Sequence, residues 1–272
     1  MITFPNAKIN IGLRVVSRRP DGYHNIETLF YPISLADVLE IVPASASATT
    51  LSVTGFAPAG DVADNLVMRA YRLLQSQYDL PAVEIHLHKA IPFGAGLGGG
   101  SSDAAYTLRM LRDMFALPLA DDDLARMAAS LGADCPFFIY NRPLFATGIG
   151  DCFTSADFTL RGKHIVLVKP PVGVSTAEAY ARIVPAVPQR PLREELSQPS
   201  ALWRGQVVND FEPGVFALHP RIAAVKQRLY ELGAVYASMS GSGASVFGIF
   251  DGPCSYTHIF PDCFVWSAMC EV

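Results

Sequence analysis

The chain has 272 residues, half of them hydrophobic, with a formal net charge of −4 at pH 7. That length can bury one large core or two smaller ones, and a mildly acidic chain without a basic stripe or Lys/Arg run argues against nucleic-acid binding. No apolar segment approaches membrane-span length, and residues 1–10 lack the charged-then-apolar layout of a signal peptide, so no membrane partner is expected.

Five cysteines, Cys135, Cys152, Cys254, Cys263 and Cys270, form no C-x-x-C pair and read as reduced thiols in a cytoplasmic protein. Cys254, His258, Cys263 and Cys270 match no zinc spacing.

From the start of the chain, Asn6, Lys8 and Asn10 alternate with Ala7, Ile9 and Ile11, continuing into Leu13 and Val15. A half-buried strand is expected. Asparagine suits strands poorly, so two of them flanking a lysine suggest a face turned toward a polar ligand. Arg18-Arg-Pro-Asp-Gly22 supplies a turn, and Tyr23-His24 begin a return strand through Ile26, Thr28 and Phe30. Val38–Val42 and Leu51–Val53 read as further strands. Asp64 is placed to cap a helix carrying Leu66, Ala70, Leu73 and Leu74. Val83–His88 alternates apolar and polar residues, with His86 and His88 on one solvated face.

Residues 92–103 read Pro-Phe-Gly-Ala-Gly-Leu-Gly-Gly-Gly-Ser-Ser-Asp. Ala104, Ala105, Leu108, Leu111 and Met114 then recur at helical spacing, with Ser101 or Ser102 expected as the N-cap and an end near Phe115. Glycines free the backbone to present N–H groups, and a helix start adds unpaired donors and a positive dipole end. Together they suit a phosphate. A dinucleotide fold fits poorly, because the preceding strand alternates and Lys89–Phe93 separate it from the glycines. A Walker loop is excluded because no lysine precedes Ser101.

Asp121 is placed to cap a helix through Leu124, Met127, Ala128 and Leu131, ended by Gly132. Asp134-Cys-Pro136 follows. Ile165–Lys169 reads as a strand stopped by prolines, and Thr176–Ile183 as a helix carrying Tyr180. Residues 185–199 hold four prolines and read as loop. Pro220–Leu232 is an amphipathic helix, and Val235–Met239 and Ser245–Phe250 are strands joined by Ser240-Gly-Ser-Gly243. The mixed order, with a change of character at residues 150–162, suggests an α+β chain of two domains, 1–152 and 153–272.

The glycine stretch resembles that of the galactokinase, homoserine kinase, mevalonate kinase and phosphomevalonate kinase (GHMP) superfamily. Ala7-Lys8-Ile-Asn10, Arg19-Pro-Asp-Gly-Tyr23-His24, Gly132-Ala-Asp134-Cys-Pro-Phe and Ser240-Gly-Ser-Gly243 sharpen this. Together they are similar to the 4-diphosphocytidyl-2-C-methyl-D-erythritol kinases. The Asp-Gly-Tyr-His segment discriminates most, since sister kinases share the loop.

The resemblance implies an N-terminal domain with a left-handed β-α-β crossover (ribosomal protein S5 domain 2-like) and a C-terminal ferredoxin-like domain. It implies ATP phosphates on Pro92, Phe93, Gly94, Ala95, Gly96, Leu97, Gly98, Gly99, Gly100, Ser101 and Ser102, with a nucleobase near Asn65. Lys8 and Asp134 fall on the family's catalytic pair, Tyr23 and His24 on its cytidine-binding residues, and Asn10 on a substrate contact. Tyr180 is a candidate second aromatic. Mg²⁺ is expected with ATP, and a cytidylated methylerythritol as the small-molecule partner.

The rivals are a sister kinase and a catalytically silent ligand-binding relative. Residues 251–272 depart from the family, being short, rich in cysteine and aromatics, and broken by Pro253 and Pro261 where relatives have a helix.

Overall fold

The computed structural model describes residues 1–56, 62–254 and 256–271. They form a mixed α+β chain that packs as two compact units, and these interleave along the sequence. One unit holds residues 1–7, 35–93 and 98–142; the other holds 8–34, 94–97 and 143–272. Most of the long first hairpin thus falls in the same unit as residues 143–272.

In chain order the opening strands are β1 (Ile2–Thr3), β2 (Asn6–Arg18), β3 (His24–Ala36), β4 (Val38–Pro43) and β5 (Thr50–Gly55). Helix α1 (Leu66–Gln75), strand β6 (Val83–Lys89) and helices α2 (Gly99–Met114), α3 (Asp121–Ala129) and α4 (Cys135–Tyr140) follow.

The first unit is built on the sheet β1-β4-β6-β5. Strands β5 and β6 are parallel neighbours, in register from Thr50 opposite Glu84 to Gly55 opposite Lys89, so β5-α1-β6 is the β-α-β unit. The alternation of β6 decides its faces: Val83, Ile85 and Leu87 are buried, while His86 and His88 meet Ser52 and Thr54 on the exposed side.

Several helix starts differ from expectation. Asn65, not Asp64, caps α1, its Oδ1 accepting from the Val67 N–H at 2.9 Å. Asp64 is used in a preceding 3₁₀ turn. Helix α2 begins earlier than the serines, at an N-cap Gly98 with φ +71°, a conformation open to glycine and costly for serine. Ser101 and Ser102 thus lie inside its first turn. Ala120 precedes α3, where Asp123 accepts from the Ala120 N–H at 3.0 Å.

The second unit adds β7 (Leu144–Thr147) and β8 (Cys152–Ser155), which extend the hairpin into the sheet β2-β3-β7-β8. Both faces of β2 are covered from Ala7 to Leu13, so the half-buried strand expected there is a buried one. Strand β9 (His164–Lys169) comes next, then α5 (Thr176–Tyr180), α6 (Leu192–Leu196), α7 (Glu212–Leu218) and α8 (Pro220–Glu231). Strands β10 (Tyr236–Met239), β11 (Val246–Phe250) and β12 (Phe264–Met269) close the chain.

The last sheet runs β10-β11-β9-β12, antiparallel throughout. Numbered within this sheet, that order is the 4-1-3-2 arrangement of a ferredoxin-like fold read from the other edge. One face, with Val166, Val168, Ala237, Met239 and Val246, packs on Ile222, Val225 and Leu229 of α8. Tyr236 and Phe247 belong to the opposite face, where Tyr236 packs against Trp203.

The atypical tail still supplies the fourth strand. The tail, in which no helix is expected, carries a 3₁₀ turn (Thr257–Ile259), and Phe260 is buried in the cluster under α8. Within that tail Ser255 and Val272 lie outside the described residues.

Candidate active site

In the first unit, the site residues gather around the start of α2. No side chain caps this helix, and its first bond inside the turn is Ser102 N–H to the Gly98 carbonyl at 2.9 Å. The amides before it point out of the helix end and suit an anion. Ser102 is wholly buried and its Oγ has no hydrogen-bond partner among the described residues, an arrangement that a bound polar group would satisfy. Within the loop, Pro92, Ala95 and Leu97 are buried anchors, while Phe93 is 70% exposed.

Beneath this turn lies a buried ion cluster. Lys89 at the end of β6 pairs with both Asp37 and Asp103, the latter at 2.6 Å. Asp37 also accepts from the Ala90 and Ile91 N–H groups at 2.6 and 2.8 Å. The cluster thus ties the loop's entry to α2. Burial pushes the Asp103 carboxyl up to about 7, against the pull of the Lys89 ammonium and with the Asp37 charge adding to the rise.

Asp134 is half-buried, just before α4, and its side chain does not cap that helix. Its neighbour Cys135 lies by Ser101, and a Cβ on Gly132 would stand 3.9 Å from the Ser101 Oγ. The Asp134 turn and the first turn of α2 are therefore adjacent. Burial pushes the Cys135 thiol up to about 11, the Ser101 hydrogen bond opposing it.

In the second unit, Lys8 is 3% exposed. Its Nζ donates to Asn10 Oδ1 at 2.6 Å and lies 4.7 Å from the Phe30 ring centroid. Asn10 donates in turn to Thr28 Oγ1 at 3.0 Å, and Thr28 donates to the Gly12 carbonyl at 2.6 Å. The Asn10 amide thus makes one such bond at each end and orients Lys8, with a second N–H and a second lone pair left over. Its own backbone N–H donates to Ser240 Oγ at 3.2 Å, and that hydroxyl donates to the Gly96 carbonyl at 2.9 Å. The Lys8 N–H bonds the Leu97 carbonyl at 3.0 Å. The polar strand face is therefore wired to residues 96–97 of the glycine loop.

The aromatic candidates also meet in this unit. His24 and Tyr180 stack with centroids 4.8 Å apart, and Tyr180 and Phe211 make a T-shaped contact with centroids 4.8 Å apart. Helix α5 is capped by Ser175, which holds Tyr180 in place from the other end. Tyr23, next to His24 in the chain, is 62% exposed. Lys8, Asn10, His24 and Tyr180 thus belong to one unit, and Asn65, Ser101, Ser102 and Asp134 to the other.

Three groups were not anticipated from the sequence: the Asp37–Lys89–Asp103 cluster, the Ser240 bridge and the segment Asn209–Glu212. The only local signal for the last is an Asn-Asp-Phe-Glu run after a proline-rich loop, which turn chemistry explains equally well.

The chain matches the GHMP kinases N terminal domain over residues 65–142 and the GHMP kinases C terminal domain over residues 189–253. It is 52% identical over 268 residues, covering 98% of each chain, to a Parabacteroides distasonis protein named 4-diphosphocytidyl-2-C-methyl-D-erythritol kinase. A crystal structure of 4-(cytidine 5'-diphospho)-2C-methyl-D-erythritol kinase superposes with a TM-score of 0.84 at 34% identity, over 100% of both chains. Mevalonate kinase from Methanococcus jannaschii shares the fold, with a TM-score of 0.72 at 12% identity over 100% of this chain and 98% of that one. Identity this high over nearly the whole length places the chain in the 4-diphosphocytidyl-2-C-methyl-D-erythritol kinase family, within the GHMP kinases.

Proposed function

We propose that the chain transfers the γ-phosphoryl group of ATP to the 2-hydroxyl of 4-diphosphocytidyl-2-C-methyl-D-erythritol, a step of non-mevalonate isoprenoid synthesis. The observation that carries this reading is the buried Lys8 ammonium, fixed by Asn10 on a strand wired through Ser240 to Gly96. Phosphoryl transfer needs positioning and charge stabilisation more than covalent chemistry, and a fixed cation beside a glycine loop supplies both.

In this proposal residues 92–102 hold the ATP phosphates, and Asn65 stands near the nucleobase while its side chain caps α1. Lys8 stabilises charge developing on the transferred group. Asp134 takes the proton of the attacking hydroxyl. Tyr23, His24 and Tyr180 hold the cytosine, by stacking and by hydrogen bonds from the imidazole. Asn10 contacts the substrate and orients Lys8.

The unpartnered Ser102 hydroxyl fits Mg²⁺ brought in on the phosphates. That ion would neutralise phosphate charge, and no cluster of three His, Cys, Asp or Glu side chains suited to a metal occurs among the described residues. We assign nucleotide binding to segment 1–152 and the ferredoxin-like domain to 153–272. A cytoplasmic setting belongs to the same proposal, supported by five free thiols and by no helix among the described residues being long and apolar enough to cross a membrane.

The test is ATP turnover with the cytidylated acceptor, with mevalonate, with homoserine and with no acceptor. Turnover only with the first is expected. Equal turnover with a sister substrate would overturn the acceptor assignment.

A further inference from the structure

The segment Asn209–Glu212, which nothing in the proposed chemistry uses, touches β2, Tyr180 and the backbone on either side of Ser240. Its backbone runs beside β2: Leu13 N–H donates to the Val208 carbonyl at 2.9 Å and Asp210 N–H to the Leu13 carbonyl at 2.8 Å. The Asp210 carboxylate accepts from the Val15 N–H at 2.7 Å. Phe211 presents its ring to Tyr180. Glu212, 7% exposed, accepts from the Met239 N–H at 2.8 Å and from Lys226 at 2.5 Å.

Asn209 is the centre of this segment. It is 2% exposed, and its Nδ2 donates to the carbonyls of Met239 and Gly241, both at 2.8 Å, while its Oδ1 accepts from the Phe211 N–H at 3.0 Å. The two carbonyls flank Ser240, the residue whose hydroxyl bridges Asn10 and Gly96. A primary amide is the one side-chain group that offers two donors and an acceptor from a single plane, so no smaller or charged residue can replace all three bonds.

We propose that Asn209 is a positioning residue for the phosphoryl-transfer reaction. By clamping the carbonyls on either side of Ser240 it sets the 240–243 turn against Gly96, and so fixes the nucleotide loop in its binding shape. This rests on the reading of that loop as the ATP-phosphate site. Without the clamp the turn keeps its chain connections but loses its fixed distance from Gly96, and a loop whose competent shape is less populated binds its ligand more weakly by that fraction.

The test compares Asn209→Ala and the milder Asn209→Ser with Leu229→Ala. Leu229 is a wholly buried residue of α8, in the core of the same unit and outside the site, so it serves as a matched destabilising control. ATP affinity is measured by isothermal titration calorimetry without acceptor, alongside Tm and steady-state kinetics. The expected result is an ATP Kd raised about tenfold or more in Asn209→Ala, and less in Asn209→Ser, with wild-type affinity in Leu229→Ala despite a similar loss of Tm. Combining Asn209→Ala with Ser240→Ala should weaken binding little beyond the worse single change, since both act through one turn.

Wild-type ATP affinity in Asn209→Ala, or a loss in Leu229→Ala that tracks its Tm, would overturn the proposal. Because affinity is read without the acceptor, failure of the acceptor assignment would show separately, as a wild-type protein that binds ATP but does not turn over.

Discussion

Gly96→Ala isolates what the glycine loop requires. Gly96 has φ +72°, where an L-residue costs about 1–2 kcal/mol. A Cβ built there would stand 2.1 Å from the Ser240 carbonyl oxygen and 3.1 Å from that of Gly243. Both obstacles are backbone atoms, so no side-chain rotation relieves them, and overpacking of this kind adds about 1–3 kcal/mol. The sum, about 2–5 kcal/mol, depopulates the native loop by at least about 30-fold.

If the loop moves while the fold holds, ATP affinity falls by that factor and Tm changes little. If the loop cannot move, Tm falls. Calorimetric ATP titration with a thermal melt on the same sample reads both. Gly100→Ala is the contrast: its Cβ would meet only Leu66 Cδ1, at 3.5 Å, and alanine in a helix is favoured over glycine by about 0.5–1 kcal/mol, so Tm should hold or rise. Wild-type ATP affinity together with wild-type Tm in Gly96→Ala would refute the argument that the Ser240 carbonyl confines this loop.

Asp134→Asn keeps the side chain's shape but removes its basicity, so kcat should fall by about 10²–10⁴ with the substrate KM values little changed. Near-wild-type kcat would remove Asp134 as the base. Lys8→Met should also cut kcat, and the double variant should lose far less than the product of the single losses if both act on one event; fully multiplicative losses in steady-state kinetics would separate their roles. Tyr180→Ala, His24→Ala and Tyr23→Ala should raise the acceptor KM with ATP affinity kept, a lost ring–base stack being worth about 1–3 kcal/mol. The opposite pattern would place these rings elsewhere.

Asp103 carries a pH signature: its folded-state carboxyl, pushed up to about 7, lies above the ordinary value of about 3.9. The protonated form therefore favours folding, a contribution fully present below about pH 4 and lost as pH rises through 7. Asp103→Asn, which stays neutral, should gain in Tm relative to wild type between pH 5 and pH 8. An unchanged difference across that range would show that Asp103 is already ionised in the folded protein.

The glycine loop's backbone shape was legible in the sequence because it depends on local rules. Glycine at 94, 96 and 98 is required by positive φ, and a run of glycines into a helix start suits an anion. The strand bearing Lys8 was legible from its period of two, although a fully buried strand with Asn and Lys on one face cannot be told by pattern from one whose polar face is solvated. Helix caps were misplaced by a residue or a few, since Asp64 and Asn65 are chemically equal candidates and only backbone geometry chooses between them.

What only the tertiary structure decided were the contacts made across long stretches of chain. Lys89 meets Asp37 from 52 residues away, Ser240 reaches Gly96 across 144, and Asn209 clamps a turn 30 residues on. The tail's strand likewise exists because β9 offers it an open edge, not because its cysteine- and aromatic-rich sequence demands one. A single side chain's partner is fixed by packing of the whole unit, and no spacing along the chain encodes it.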